Sequence, residues 1–165
     1  MLRDEELLLT LLNSAPVVEG VPTDGLEGAA GRALARSWGG TGTAEEVARL
    51  RRARQALQSI VREGDGGAVR DLEGILDDAV RTPRLTPDGV VWELHVPEDD
   101  RLAAGAVLAW SSVITEFPGR LRACANDECS QFLVDHSRPV TAKWCSMAAC
   151  GNRMKARTHA LRAKG

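Results

Sequence analysis

The chain has 165 residues, of which 44% are hydrophobic and 27% charged, with a formal net charge of −2. This composition is typical of a globular protein with one modest core and excludes a chain that is disordered throughout. No apolar run approaches the ~20 residues that a membrane span needs, so the sequence predicts no membrane partner. The apolar residues 7–12 follow three acidic residues, where a signal peptide would carry positive charge. They therefore predict a first helix and a cytoplasmic location.

Charge is divided unevenly along the chain. Residues 1–119 contain 12 Lys or Arg and 20 Asp or Glu, a net charge of −8, whereas residues 120–165 contain 9 and 3, a net charge of +6. All four cysteines also lie in the second segment. This asymmetry predicts two modules, over 1–119 and 120–165, and an anionic partner for the second.

The first 119 residues show helical periodicity, followed by one change of pattern. Helices are predicted over about residues 4–13, 26–38, 43–62 and 69–80, the third opened by a capping box of Thr43 and Glu46. Alternating apolar residues at 84–86 and 90–96 flank a Pro-Asp-Gly turn and predict a β-hairpin. A long apolar helix is predicted over 101–117. The predicted fold class is therefore α+β and mainly α.

The four cysteines form two pairs with metal-ligand spacing. Four residues separate Cys124 from Cys129 and Cys145 from Cys150, and fifteen residues separate the pairs. Two thiol pairs suit tetrahedral Zn²⁺, and a segment this small needs a stabiliser besides its core. Two disulfides, an iron–sulfur cluster and a redox-switching zinc site remain alternatives.

Short strands are predicted over 132–134 and 143–144, which gives a zinc-ribbon-like or treble-clef-like module. Four thiolates leave no open metal position, and no nucleophile–base pair is recognisable, so we expect no enzyme activity.

A basic helix is predicted after the last cysteine, with five basic residues and no acidic ones. Helical geometry places Arg153, Arg157 and Lys164 along one flank, and Lys155 and Arg162 along the other. Such a helix is suited to meet phosphates, and a solvated amphipathic helix is the alternative. Seven side chains are predicted to contact nucleic acid: Arg138, Lys143, Arg153, Lys155, Arg157, Arg162 and Lys164.

Two weaker phosphate candidates, Arg120 and Arg122, precede the first cysteine. For Arg153, an ion pair with Asp127, Glu128 or Asp135 inside the module is an alternative of equal standing.

Residues 120–165 resemble the CGNR zinc-finger family, which is named for the tetrapeptide found here at residues 150–153. The likeness includes residues 121–124, 132–135, 137–138 and 144–150. It implies that the four cysteines hold zinc and that residues 1–119 form an ABATE-like domain. It also implies a bacterial, stress-induced transcription regulator with DNA as its partner, and a protein partner or a homodimer is also compatible. A zinc-stabilised protein-interaction or redox-sensing module without DNA binding is the alternative function.

Overall fold

A computed structural model describes residues 4–165 of the chain. Its helices are α1 (Asp4–Leu12), α2 (Gly28–Ser37), α3 (Ala44–Glu63), α4 (Val69–Leu76), α5 (Arg101–Glu116) and α6 (Asn152–Ala163). Its strands are β1 (Val17–Val18), β2 (Val21–Pro22), β3 (Val80–Thr86), β4 (Gly89–His95), β5 (Leu121–Ala123) and β6 (Phe132–Val134). The strands form three separate antiparallel pairs, β1–β2, β3–β4 and β5–β6. The mixed and mainly helical fold class is confirmed.

The hydrophobic core lies where α1, α3 and α5 meet. Leu8, Leu11 and Leu50 are fully buried there, as is Ala103 of α5. Helix α5 is rich in alanine on its buried face, and small side chains let α1 pack closely along it. The apolar spacing that predicts these three helices thus also marks their core-facing sides.

Two details of the predicted helices are wrong. The sequence places Val80 at the end of the fourth helix, but α4 ends at Leu76, and Val80 opens β3 opposite His95. A β-branched residue favours the extended backbone of a strand. Thr43 caps α3 as predicted, because its Oγ1 accepts a hydrogen bond from Glu46 N at 3.0 Å. The carboxylate of Glu46 instead accepts bonds from the Thr41 and Gly42 N–H groups, at 3.1 and 2.7 Å. The capping box is therefore only half formed.

A buried ion pair fixes the loop after α1 to α3. Arg54, which is 7% exposed, donates to both carboxylate oxygens of Asp24, at 2.7 and 2.8 Å, and to Ser14 Oγ at 2.9 Å. The Arg54 hydrogen bond is the main reason that the pKa of Asp24 falls from 3.8 to about 2. The pair therefore stabilises the fold only while Asp24 is ionised.

We expect the protein to lose about 2 kcal/mol of unfolding free energy through Asp24 as the pH falls from about 4 to about 2. The sign follows from the lowered pKa: the contribution is complete above the unfolded value of 3.8 and disappears as the folded carboxylate is protonated. Urea unfolding at a series of pH values, compared with Asp24→Asn, measures it. An equally steep acid loss in Asp24→Asn would show that other groups cause it.

The C-terminal segment packs onto this helical core. The side chain of Asn13 accepts from Phe132 N at 2.7 Å and donates to Phe132 O at 3.1 Å. The Phe132 ring is 2% exposed and belongs to the main core cluster. The guanidinium of Arg62 lies over this ring, 4.6 Å from its centroid, and donates to Ser130 O at 2.6 Å. A division of the chain at residue 119 stays a prediction, and the two sides of it share one core.

Candidate metal centre and the basic helix beside it

Strands β5 and β6 carry the first cysteine pair, with Cys124 directly after β5 and Cys129 in the connection to β6. The predicted strand over 143–144 is wrong, because β6 pairs with β5 instead. Asp135, which is 1% exposed, accepts hydrogen bonds from Ser137 N and Ala142 N, at 2.8 and 3.1 Å. These bonds hold the loop after β6 in a compact turn, so it does not return as a paired strand.

The four cysteine sulfurs converge on one point. All four Sγ atoms lie within 4.8 Å of one another, and those of Cys129 and Cys145 are 3.8 Å apart. A Zn²⁺ ion with four thiolates at ~2.3 Å requires sulfur–sulfur edges of about 3.8 Å. The cysteines are free thiols, with Cys124 and Cys150 buried and the other two half-buried. The donor set and its geometry therefore fit a tetrahedral zinc site that leaves no open coordination position.

Hydrogen bonds to three of the sulfurs complete this fit. Gln131 N donates to Cys129 Sγ, Cys145 N donates to Cys124 Sγ, and the side-chain amide of Asn126 donates to Cys150 Sγ, each at 3.4 Å. Asn126 is 2% exposed; its side-chain oxygen accepts from Glu128 N at 3.2 Å, and its backbone carbonyl accepts from Cys129 N at 2.8 Å. Donors around a ligand set orient the thiolates and stabilise their negative charge.

The thiols differ in acidity before metal is bound. Burial raises the pKa of Cys129 and of Cys145. Burial alone would also raise the pKa of Cys150, but hydrogen bonds from Asn126 and the neighbouring cysteines lower it instead. Because zinc requires thiolates, binding releases protons and weakens as the pH falls.

Helix α6 begins at the metal centre. Cys150 lies in a single π-helical turn, Met147–Gly151, that leads directly into α6, and Ser146 Oγ caps this turn by accepting from Ala149 N at 3.0 Å. Gly151 is buried, and a Cβ there would lie 2.5 Å from Met147 Sδ and 3.2 Å from the Trp144 ring. The direction of α6 is therefore set by a cysteine ligand and by close packing at its first turn.

Beyond this first turn α6 is open to solvent. Met154 is half-buried, and every other residue of the helix is exposed. Met147, Met154 and Leu161 share one side of this segment, but the stripe is packed only at Met154, since Met147 and Leu161 are 47% and 69% exposed. The side chain of Asn152 makes no hydrogen bond within residues 4–165. A helix with so little buried surface depends on its metal-bound end for its position.

All seven predicted nucleic-acid contacts are exposed, namely Arg138, Lys143, Arg153, Lys155, Arg157, Arg162 and Lys164. Within residues 4–165, one side chain of this set makes an ion pair: Arg157 lies 3.7 Å from Glu128. Arg153 makes none of the ion pairs considered for it; Asp135 is paired with Arg122 instead, at 2.5 Å. Arg120 donates to Asp135 O and Ser137 O, so both secondary candidates have partners inside the module.

The two basic flanks of α6 have different surroundings. Lys155 and Arg162 line a groove of about 290 Å³ together with Trp144, Met154 and His159. Arg153 lies on the opposite flank, in a smaller cleft of about 160 Å³ that reaches Cys129 and Cys145. The first flank combines positive charge with an aromatic ring, and the second borders the metal centre.

Four converging thiolates with supporting N–H donors define a structural zinc module. Residues 120–163 match the family described as CGNR zinc finger, a span that includes all four cysteines and nearly all of α6. The cofactor of this site is therefore Zn²⁺, held by Cys124, Cys129, Cys145 and Cys150, and its chemical contribution is a crosslink between the β5–β6 connection and the start of α6. No curated protein matches the chain. No helix within residues 4–165 is long and apolar enough to cross a membrane.

Sequence reasoning did not identify Asn126 and Asp135 as organisers of the module. Both are buried polar residues, and each accepts a hydrogen bond from the backbone N–H two residues later. Asn and Asp favour such local bonds in turns, so their places inside short polar loops are the available signal. Their burial depends on the folded module and has no signature in the sequence.

Proposed function

We propose that this chain is a bacterial, cytoplasmic, zinc-dependent nucleic-acid-binding protein, and specifically a DNA-binding transcription regulator. The observation that carries the proposal is α6, a helix fixed at one end by Cys150 and otherwise exposed. It carries four basic side chains, Lys164 follows directly, and the ion pair that this set makes joins Arg157 to Glu128. Cations held on a rigid and accessible element are suited to displace the counterions of DNA. The ABATE-like resemblance of residues 1–119 supports a regulatory, stress-related role.

The position of Cys150 also bears on the type of module. The second cysteine pair ends in the first turn of a helix, and 143–144 is not a strand. This arrangement favours the treble-clef-like form over the zinc-ribbon-like form, because a ribbon places both pairs on hairpins.

Within the proposal, we assign the closer DNA contact to the flank of Lys155 and Arg162. These cations have no ion-pair partner among the described residues, and Trp144 beside them provides an aromatic surface. On the other flank, Arg157 is 3.7 Å from Glu128, whose side chain is 65% exposed. A carboxylate at that position repels phosphate, which makes this flank the poorer one.

The double variant Lys155→Ala/Arg162→Ala is expected to bind duplex DNA about tenfold or more weakly, because it removes two charge-assisted phosphate contacts. It should also reduce the magnitude of the salt slope of binding by about 2, one for each lost contact. Fluorescence anisotropy with a labelled duplex measures both quantities.

The matched control is Arg153→Ala/Arg157→Ala, which removes the same charge from the same helix. We expect a smaller loss of affinity from this variant. Equal losses would remove the flank assignment, and unchanged binding in both variants would contradict phosphate contact through α6.

One observation favours a second function. Cys129 and Cys145 are half-buried, 3.8 Å apart, and line the cleft beside Arg153. Accessible thiolate ligands are suited to a redox-sensing or protein-interaction module that does not bind DNA. This alternative predicts no binding of the zinc-loaded chain to duplex DNA at low salt.

A further inference from the structure

A second concave site is separate from the zinc module, since none of the residues that line it lies within 120–165. The β3–β4 hairpin stands against α1 and α5, and a cleft of about 430 Å³ separates them. The buried side chains of Trp38 and Leu102 line its floor, and Gly105 of α5 adds no side chain there. This volume is within the range of small-molecule sites, about 300–1,000 Å³.

One face of the hairpin forms the opposite wall. The register pairs Arg81 with Leu94 and Pro83 with Trp92, so side chains at these positions project from the same face. Arg81, Trp92 and Leu94 all line the cleft. The Trp92 side chain is 60% exposed, so the residues of the described chain leave much of this ring uncovered. Exposed aromatic surface in a concave site is suited to stack against a flat ligand.

The rim of the cleft is positively charged. Two guanidinium groups line the cleft, those of Arg81 and Arg101, and one carboxylate, that of Asp4. The side chain of Arg81 makes no ion pair or hydrogen bond within residues 4–165, and the guanidinium of Arg101 donates one bond to Gly39 O. An unpaired guanidinium is matched in geometry by a carboxylate, which accepts two parallel N–H bonds.

We propose that this cleft binds a small aromatic carboxylate, with the ring against Trp92 and the carboxylate at Arg81. The proposal does not depend on DNA binding by α6. It assigns a ligand-binding role to the helical part of the chain, whose role the zinc module does not explain.

Isothermal titration of the zinc-loaded full chain with 2-naphthoate tests the proposal, with 2-naphthylmethylammonium as a probe of similar shape and opposite charge. We expect saturable binding of 2-naphthoate with quenching of tryptophan fluorescence, and at least tenfold weaker binding of the cation. Arg81→Gln should weaken 2-naphthoate binding about tenfold, the loss of one charge-assisted hydrogen bond.

Arg84→Gln is the matched control, because Arg84 lies on the same strand but on the opposite face, where it pairs with Glu93. It should bind 2-naphthoate as the unmodified chain does. Trp92→Ala should weaken binding by tenfold or more, and Val91→Ala, on the other face, should not. Absence of saturable binding, no preference for the anion, or equal effects of Arg81→Gln and Arg84→Gln would each overturn the proposal.

Discussion

Removal of Zn²⁺, by chelation or by Cys150→Ala, is expected to unfold residues 120–165. Residues 4–119 should keep much of their helical signal but become less stable, because they lose the packing of Phe132. Few large side chains of this segment are buried apart from the ligands, chiefly Phe132 and Leu133. This apolar area is too small to offset the conformational entropy of ordering the segment. Structural zinc contributes on the order of 10–16 kcal/mol to the folding free energy of isolated fingers, and no other interaction in this segment can replace that contribution. Helix α6, with almost no buried surface of its own, should lose its structure first.

Hydrogen exchange read by mass spectrometry, with zinc counted by a colorimetric chelator, measures this effect region by region. The unmodified chain should hold one zinc ion per chain, and Cys150→Ala should show unprotected amides over α6. Asn126→Ala should retain the site with roughly 10–100-fold weaker zinc affinity, since the Asn126 amide donates to the Cys150 thiolate but is not itself a ligand. Leu161→Ala, a change at a side chain of α6 that is 69% exposed, is the control. Full protection of α6 without metal would contradict the account.

Phe132→Ala is expected to destabilise the whole chain by about 3–5 kcal/mol, because it leaves a cavity where the zinc module meets the helical core. The ring is 2% exposed and also carries the Arg62 guanidinium on its face. Asn13 bonds the backbone of the same residue, so the loss would act on both parts of the chain.

Urea unfolding followed by helical circular dichroism measures the change. Leu85→Ala is the control, since that side chain is 82% exposed, and it should shift stability by no more than about 0.5 kcal/mol. A Phe132→Ala shift as small as that of Leu85→Ala would show that the module is not part of the cooperative core.

Local patterns predicted the helices and the metal site well. Helix α3 follows from the Thr43 cap and its apolar spacing, and the four ligands follow from the spacing of the cysteines, because both depend on residues near in sequence. Features that depend on distant residues were not predicted. The hydrogen bonds between Asn13 and Phe132 span 119 positions, and no sequence pattern connects the two residues.

The cleft beneath the hairpin illustrates the same limit. Its walls come from elements far apart in the chain, and Arg81 and Trp92 lie on one face only because of the hairpin register. The sequence predicted a hairpin but began β3 four residues late, with Val80 in a helix. That error left Arg81 without an assigned strand and gave no reason to group it with Trp92.

A salt titration of the zinc-loaded chain on duplex DNA, beside the zinc-free Cys150→Ala variant, tests the central claim most directly. The account predicts binding whose logarithmic salt slope is about −2 to −4.5, as expected if two to five basic side chains of residues 153–164 neutralise phosphates. It also predicts loss of binding without metal. Absence of binding at low salt by protein of confirmed zinc content would contradict it and favour the protein-interaction or redox-sensing alternative.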